Sequence, residues 1–314
     1  MGEIEENEEK DVVKTTLEKQ IIEAILPEIK ANVLGEVSQI TKNLKKRIKT
    51  VVVKTGDVEK KKTELVHEKF DDILLLISNK IPVMLTGGAG SGKSSTCEKI
   101  AEVLGLDFYF SNAITQEYKL TGFIDANGVY QETQFYKAFK NGGIFVLDEI
   151  DASIPESLVI INTAIANGYF DFPNGKVQAH EDFRIVACAN TYGLGGTDVY
   201  VGRNQLDGAS LDRFAVVYFD YDEVLERSLV TNEDWAKFVQ ALRKRIKERQ
   251  IKHIVSMRAT IYGDILLQAG FAIDKVLSQV VFKNLQIDDI KTIGTLPKEE
   301  ENQYINKFNS IVRG

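Results

Sequence analysis

The spacing of apolar and polar positions divides the chain into three stretches. In the first, Leu26, Ile29, Val33, Val37, Ile40, Leu44 and Ile48 recur at intervals of 3, 4, 4, 3, 4 and 4. That rhythm predicts helical backbone with a narrow apolar seam over residues 10–49. Pro27 and Gly35 interrupt it, which predicts two helices, with Pro27 in the first turn of the second. The seam suits packing on the chain's own core and docking of a partner or neighbouring subunit equally well, and both readings stand open. The cluster Lys42, Lys45, Lys46, Arg47 and Lys49 reads as a solvated face. Residues 50–54 are β-rich, and Thr55-Gly56-Asp57 has turn chemistry.

In the second stretch, residues 63–79 read as a helix. From there to about residue 222 short apolar runs alternate with helical patterns, which predicts a parallel α/β sheet flanked by helices. The runs fall at residues 81–85, 144–147, 185–189 and 215–219. Residues 169–177 read as a hairpin with Asn174-Gly175 as its two-residue turn. Beyond residue 222 the strand signals stop. Trp235, Phe238, Val239, Leu242 and Ile246 share one helical face, Ser256 is a candidate N-cap, and helical patterns recur at 272–286 and 298–312. The expected organisation is a helical extension over 1–60, an α/β domain over 61–222 and an all-helical domain over 223–314.

Chemistry concentrates after the first of these runs, where Thr86-Gly87-Gly88-Ala89-Gly90-Ser91-Gly92-Lys93-Ser94-Ser95 satisfies G-x-x-x-x-G-K-[ST] in full. A strand before it and a helix from residue 95 onward supply the context that this phosphate-binding loop requires. Glycines let backbone N–H groups close around phosphate oxygens, and the helix start adds partial positive charge. Lys93 is the expected partner of the β- and γ-phosphates, and the Ser94 hydroxyl of Mg²⁺. The run ending at Leu147 delivers Asp148 and Glu149 at a strand's C-terminal end, where the ligand crevice of an open α/β sheet lies. Asp148 suits Mg²⁺ and Glu149 suits an attacking water. The run ending at Ala189 delivers Asn190, whose amide suits a water or the γ-phosphate and also suits a plain turn. Arg213, in Leu211-Asp212-Arg213-Phe214, suits either an ion pair with Asp212 or a charge offered to phosphate.

Composition narrows the partners. With 314 residues and 44% hydrophobic content the chain can bury a sizeable core, and its net charge of −7 argues against nucleic acid as a default partner. Cys97 and Cys188 are the two cysteines, both in apolar surroundings, which suits reduced thiols in an intracellular, cytoplasmic protein. Residues 3–9 are acidic, unlike a signal peptide, and no apolar run approaches membrane-spanning length.

The ordered set Gly87 to Ser94, Asp148-Glu149, Asn190, Arg213 and Arg258 resembles the AAA+ ATPases over roughly residues 63–290. Within them it looks most like the MoxR-type and cobaltochelatase-ATPase-subunit branch. That likeness is carried by residues 121–143, the hairpin around Asn174-Gly175, and residues 189–214. The resemblance implies a P-loop NTPase fold with a helical lid, and Mg²⁺-dependent ATP hydrolysis. It places Lys93 and Ser94 in Walker A, Asp148 and Glu149 in Walker B, and Asn190 at sensor 1. Arg213 falls at the arginine finger and Arg258 at sensor 2, with Arg203 as a second candidate finger. It further implies a homo-oligomer, a hexameric ring in the usual case, acting on a client protein, often with a partner carrying a von Willebrand-type domain. A nucleic-acid motor or restriction-type NTPase shares the same core. It is disfavoured because no basic stripe is interleaved with aromatics and Asn190-Thr191-Tyr192 lacks an acid. ATP against GTP preference stays open.

Overall fold

The computed structural model describes residues 48–55, 58–297 and 302–314. The helices expected over residues 10–49 lie outside the described residues, apart from the start of a strand at Ile48, and so does the Gly56-Asp57 turn. Among the described residues, 48–50 and 63–65 fall in one compact unit, and 51–55, 58–62, 66–297 and 302–314 in another. Strands β1 (Ile48–Thr55) and β2 (Val58–Leu65) form a two-stranded sheet.

The expected helix over 63–79 is shorter than its pattern, because β2 occupies the first residues and α1 is Phe70–Ser78. A side-chain anchor explains the late start. The His67 Nδ1 accepts the Lys69 N–H at 3.1 Å, and the Glu68 N–H donates to Asp222 Oδ2 at 2.9 Å. With Nδ1 accepting, Nε2 carries the proton and donates to the Asp220 carbonyl at 3.0 Å. The imidazole also stacks on Phe219 at 3.7 Å between centroids.

The central sheet has five parallel strands. They are β3 (Val83–Thr86), β4 (Phe108–Ser111), β7 (Gly143–Leu147), β10 (Phe183–Ala189) and β11 (Ala215–Tyr218), in the spatial order β11-β3-β10-β7-β4. The short pairs β5 (Phe123–Ile124) with β6 (Tyr130–Gln131) and β8 (Tyr169–Phe172) with β9 (Gly175–Gln178) stand outside it. Strands covered on both faces carry apolar residues continuously, with alternate residues serving opposite layers. In β7, Ile144 and Val146 enter one core while Phe145 and Leu147 enter the other. In β10, Val186 and Cys188 divide from Ile185, Ala187 and Ala189 in the same way. One layer is closed by α1 and α2 (Lys93–Leu104), through Phe70, Ile73, Cys97 and Ile100. The other contains Leu120 of the single turn α3 (Tyr118–Thr121), Phe135 and Phe139 of α4 (Gln134–Asn141), and Leu158 and Ile161 of α5 (Pro155–Asn167).

The β8–β9 hairpin forms where expected, but its turn sits one residue earlier. Phe172 pairs with Gly175, which leaves Pro173-Asn174 as the connection. Pro173 fixes the φ of the first turn position, and Gly175, at φ 121°, opens the return strand. Short α6 (Gly208–Leu211) precedes β11.

After β11 the structure is helical. The helices are α7 (Glu223–Ser228), α8 (Glu233–Glu248), α9 (Met257–Gln268), α10 (Ile273–Val276), α11 (Ile287–Ile293) and α12 (Gln303–Arg313), with one π-helical segment at Leu277–Phe282. The expected Trp235, Phe238, Val239 and Leu242 face is fully buried in a separate core, with Phe308 of α12. The carboxylate of Glu226 is buried alongside it. Glu226 accepts both arms of Arg243, at 2.6 and 2.9 Å, and the Gln240 amide at 3.1 Å, besides the Thr260 hydroxyl.

Gly263 marks a close approach between α8 and α9. A Cβ there would lie 2.2 Å from Cζ2 of Trp235, whose indole N–H donates to the Thr260 carbonyl at 3.0 Å. On an exposed helix Gly→Ala gains about 1 kcal/mol. Here overpacking is expected to reverse the sign, so Gly263→Ala should destabilise by about 1–3 kcal/mol. Chemical denaturation followed by Trp235 fluorescence checks this, and an unchanged or raised midpoint refutes it.

Candidate functional site

The sheet register assembles the candidate residues. Thr86 pairs with Ala189, and Leu147 with Ala187, so Gly87, Asp148 and Asn190 leave neighbouring strand ends together. Residues 87–92 then turn into α2. Gly90 and Gly92 hold φ 70° and 98°, which favour glycine. Gly87 and Gly88 are set by crowding instead. A Cβ on Gly87 would lie 1.9 Å from the Phe219 carbonyl oxygen, and one on Gly88 2.8 Å from the Tyr221 hydroxyl. Two tyrosines grip the next peptide. The Ala89 N–H donates to Tyr200 Oη at 2.9 Å, and Tyr221 Oη donates to the Ala89 carbonyl at 2.8 Å. Burial pushes the Tyr221 phenol up from its ordinary pKa, so it remains a donor.

Lys93 is buried and lies inside the loop. Its ammonium donates to the carbonyls of Gly87 at 2.8 Å and Gly88 at 3.0 Å, and to Asn190 Oδ1 at 3.2 Å. Burial lowers its pKa from the ordinary lysine value, the carboxylates of Asp148 and Asp151 oppose that, and Arg203 reinforces it. Ser94 Oγ donates to Asp148 Oδ2 at 2.9 Å, and Asp148 Oδ1 accepts the Glu149 N–H at 2.9 Å. Glu149 sits at φ 53°, a left-handed conformation uncommon for a side chain of its size. That twist comes directly after the strand end, and the carboxylate meets Arg203 Nη2 at 3.0 Å.

Asp151, fully buried, ties these parts together. Its Oδ2 accepts the N–H groups of Asn190 at 3.1 Å and Thr191 at 2.9 Å, plus the Thr191 hydroxyl at 2.9 Å. Its Oδ1 faces Arg203 Nη1 at 3.3 Å. Sequence pattern gives Asp151 no role of its own, although it stands in the same acidic run as Asp148 and Glu149, and that run is the signal that could have found it. Nothing local in the sequence marks Tyr200 or Tyr221.

Lys93, Ser94, Asp148, Glu149 and Asn190 thus come together, and Asn190 is more than a turn residue because its amide faces the lysine. Arg258, whose side chain is exposed, has its Cγ 3.6 Å from the Cβ position of Gly90, so its stem lies against the loop. Arg213 lies apart. It is exposed two residues beyond α6, and its guanidinium bonds the Ala209 carbonyl rather than Asp212. Arg203, the second candidate finger, is held within its own chain by Glu149 and Asp151. Ser95 is exposed on the first turn of α2.

The residues fit a phosphate ligand and a magnesium ion. The loop leaves no room for side chains at Gly87 and Gly88, and Ser91 Oγ is buried with no hydrogen-bond partner among the described residues. The start of α2 has no side-chain cap, so its first N–H groups are available to an anion. Ser94 and Asp148 offer two hard oxygens, a donor count suited to Mg²⁺ that also binds phosphate and water. Among the described residues no helix is long and apolar enough to cross a membrane.

An uncharacterized protein of Staphylococcus aureus strain NCTC 8325 / PS 47 is 28% identical over 221 residues, covering 61% of this chain and 80% of that protein. Among solved structures, NtrX from Brucella abortus in complex with ATP is 19% identical, with a TM-score of 0.46, over 84% of this chain and 65% of that one. Another NtrX structure is 20% identical, with a TM-score of 0.44, over 83% of this chain and 57% of that one, so the present chain spans little more than half its length. A RuvB mutant of Thermotoga maritima is 17% identical, with a TM-score of 0.44, over 71% of each chain. The family model of the AAA domain, dynein-related subfamily, matches residues 82–214, a span that contains the phosphate loop, Asp148-Glu149, Asn190 and Arg213. The likeness to the AAA domain of the dynein-related subfamily thus extends over residues 82–214 of this chain.

Proposed function

We propose that the protein is a Mg²⁺-dependent ATPase that works as a homo-oligomeric ring, hexameric in its simplest form, and remodels a client protein. The observation that carries the hydrolytic part is the convergence of Lys93, Ser94, Asp148 and Asn190 beyond the C-terminal ends of the central strands, with Ser94 Oγ and Asp148 Oδ2 2.9 Å apart and Lys93 Nζ and Asn190 Oδ1 3.2 Å apart. Phosphoryl transfer needs positioning and charge neutralisation more than covalent chemistry, and these groups supply both. The loop N–H groups and Lys93 hold the phosphates. Ser94 and Asp148 would hold a magnesium ion, which would supply charge neutralisation. Glu149 takes the proton of the attacking water, and Asn190 orients that water or the γ-phosphate. Arg258 reaches phosphate from the helical side, and the exposed Arg213 serves the site of a neighbouring subunit. The MoxR-type placement, with its von Willebrand-type partner, rests on residues 121–143, the hairpin around Asn174-Gly175 and residues 189–214. Residues 223–314 act in this reading as a lid.

Lys93→Ala should weaken ATP binding roughly ten- to a hundredfold, because a charged hydrogen-bond donor is lost at the phosphates. Equilibrium titration with a fluorescent ATP analogue decides this, and undiminished affinity removes Lys93 from the site.

Glu149→Gln keeps the shape of the side chain but cannot take a proton. It should bind ATP with Mg²⁺ and hydrolyse it very slowly. Steady-state phosphate release near the wild-type rate would place water activation elsewhere.

Arg213→Ala should bind ATP normally and lose about 10³ to 10⁵ in rate if it supplies transition-state charge in trans. Mixing it with Glu149→Gln should restore activity, since some interfaces then pair an intact Glu149 with an intact Arg213. If exchange of subunits is confirmed and the mixture stays inactive, Arg213 does not act across an interface.

A further inference from the structure

Arg203 stands outside the phosphate loop, yet it is the group that touches Glu149. We propose that Arg203 is the positioning residue for Glu149, acting within its own subunit and braced by Asp151. The inference rests on the ATPase reading and adds a residue to which that reading assigns no role.

Three observations make the contact a built one rather than a passing surface ion pair. First, the guanidinium divides its two arms. Nη1 meets Asp151 Oδ1 at 3.3 Å and Nη2 meets Glu149 Oε1 at 3.0 Å, so the two carboxylates hold one planar fork from different sides. Second, the arginine is sunk into the protein. Its side chain is 13% exposed and that of Asp151 0%, while Glu149, at 45%, is the open end of the chain of contacts. Third, the segment that delivers Arg203 is pinned twice at the very next residue. The Asn204 N–H donates to the Asp151 carbonyl at 2.6 Å, and the Asn204 side-chain amide donates to the Ser153 carbonyl at 2.9 Å. The excursion from Gly193 to Leu206 closes on itself through the Leu206 N–H to Gly193 carbonyl bond at 2.8 Å and a Leu194–Gln205 bridge.

The chemical benefit lies in restricted freedom. Glu149 begins directly after the metal-binding Asp148, and its long side chain has rotamers to lose. A carboxylate that must meet a water in line with a phosphate gains from being held in one of them. Arg203 provides that hold, and Asp151 provides the hold on Arg203. Asp151 also fixes the Asn190 turn through its other oxygen, so Glu149 and Asn190 are set relative to each other by a single buried carboxylate. A guanidinium satisfied twice within its own chain is poorly placed to serve a neighbour's phosphate, which separates its role from that of Arg213.

The test is a mutant cycle on the full chain. Wild-type turnover with ATP and Mg²⁺ is measured first, and its absence would count against the ATPase reading itself. With wild-type activity in hand, Arg203→Ala should lower kcat about ten- to a hundredfold. Affinity for a fluorescent ATP analogue should stay nearly unchanged, since Arg203 touches none of the phosphate loop's groups. Arg203→Lys, which keeps a charge but not the fork, should recover part of the loss. In single-turnover hydrolysis on the Glu149→Gln background, Arg203→Ala should cost nothing further, because it acts through the group already removed. Mixing Arg203→Ala with Glu149→Gln subunits should restore nothing, whereas Arg213→Ala with Glu149→Gln does. Three results overturn the proposal: an unchanged kcat in Arg203→Ala, an undiminished loss on the Glu149→Gln background, or rescue in the Arg203→Ala mixture. If Arg203→Ala does not fold, the same cycle is run with Arg203→Gln, which keeps much of the volume but no charge, and the same three outcomes decide.

Discussion

A carboxylate with no access to water sets the geometry of this site. Asp151 is fully buried, and burial of a charge is tolerated only when it is paired and hydrogen-bonded. Here three donors from the Asn190-Thr191 turn and one arm of Arg203 satisfy it. Its desolvation is thus offset by the two segments whose placement matters most, the end of β10 and the excursion before α6. Removing one partner of a buried pair typically costs about 3–5 kcal/mol, so the network gives the loops beyond the strand ends a single preferred arrangement.

The parallel sheet makes that arrangement workable. Its central strands β3, β7 and β10 are buried on both faces, so they cannot slide by one residue without exchanging the contents of the two layers. Ile144 and Val146 would then trade places with Phe145 and Leu147. The fixed register brings Gly87, Asp148 and Asn190 to neighbouring strand ends. The core holds the strands, the strands hold the first polar residue after each, and Asp151 holds the loops beyond them.

Much of this was legible in the chain itself. The phosphate loop is contiguous, and its glycines and lysine carry their chemistry in their own spacing. Continuous apolar runs announced β3, β7, β10 and β11, and the Trp235 face announced α8. What was not legible has a common cause. Residues 63–69 have a helical pattern but stay out of the helix because Asp222, 154 positions away from Glu68, takes a backbone donor there. Arg203 could be offered as a finger on sequence grounds, since the acids that claim it lie 52 and 54 positions upstream. Tyr200 meets the Ala89 peptide across 111 positions. Local pattern cannot encode such contacts. The hairpin turn slipped by one residue for a nearer reason, because Pro173 competes with Asn174-Gly175 for the turn positions and wins by its fixed φ.

Tyr221 matters beyond the loop it grips. Its hydroxyl holds the Ala89 carbonyl while its ring carries the Arg243 guanidinium 4.1 Å from its centroid, and Arg243 is locked onto the buried Glu226. One aromatic side chain therefore serves as a strut between the phosphate loop and the helices after the sheet. Tyr221 lies at the seam where sheet gives way to helix, one residue before the Asp222 cap of α7. A strut at a seam transmits load in both directions. A ligand that reshapes the glycine loop would strain Arg243, and a pull on α8 would be felt at Ala89. The glycine loop and the helices after the sheet meet at this phenol as well as at the Arg258 stem.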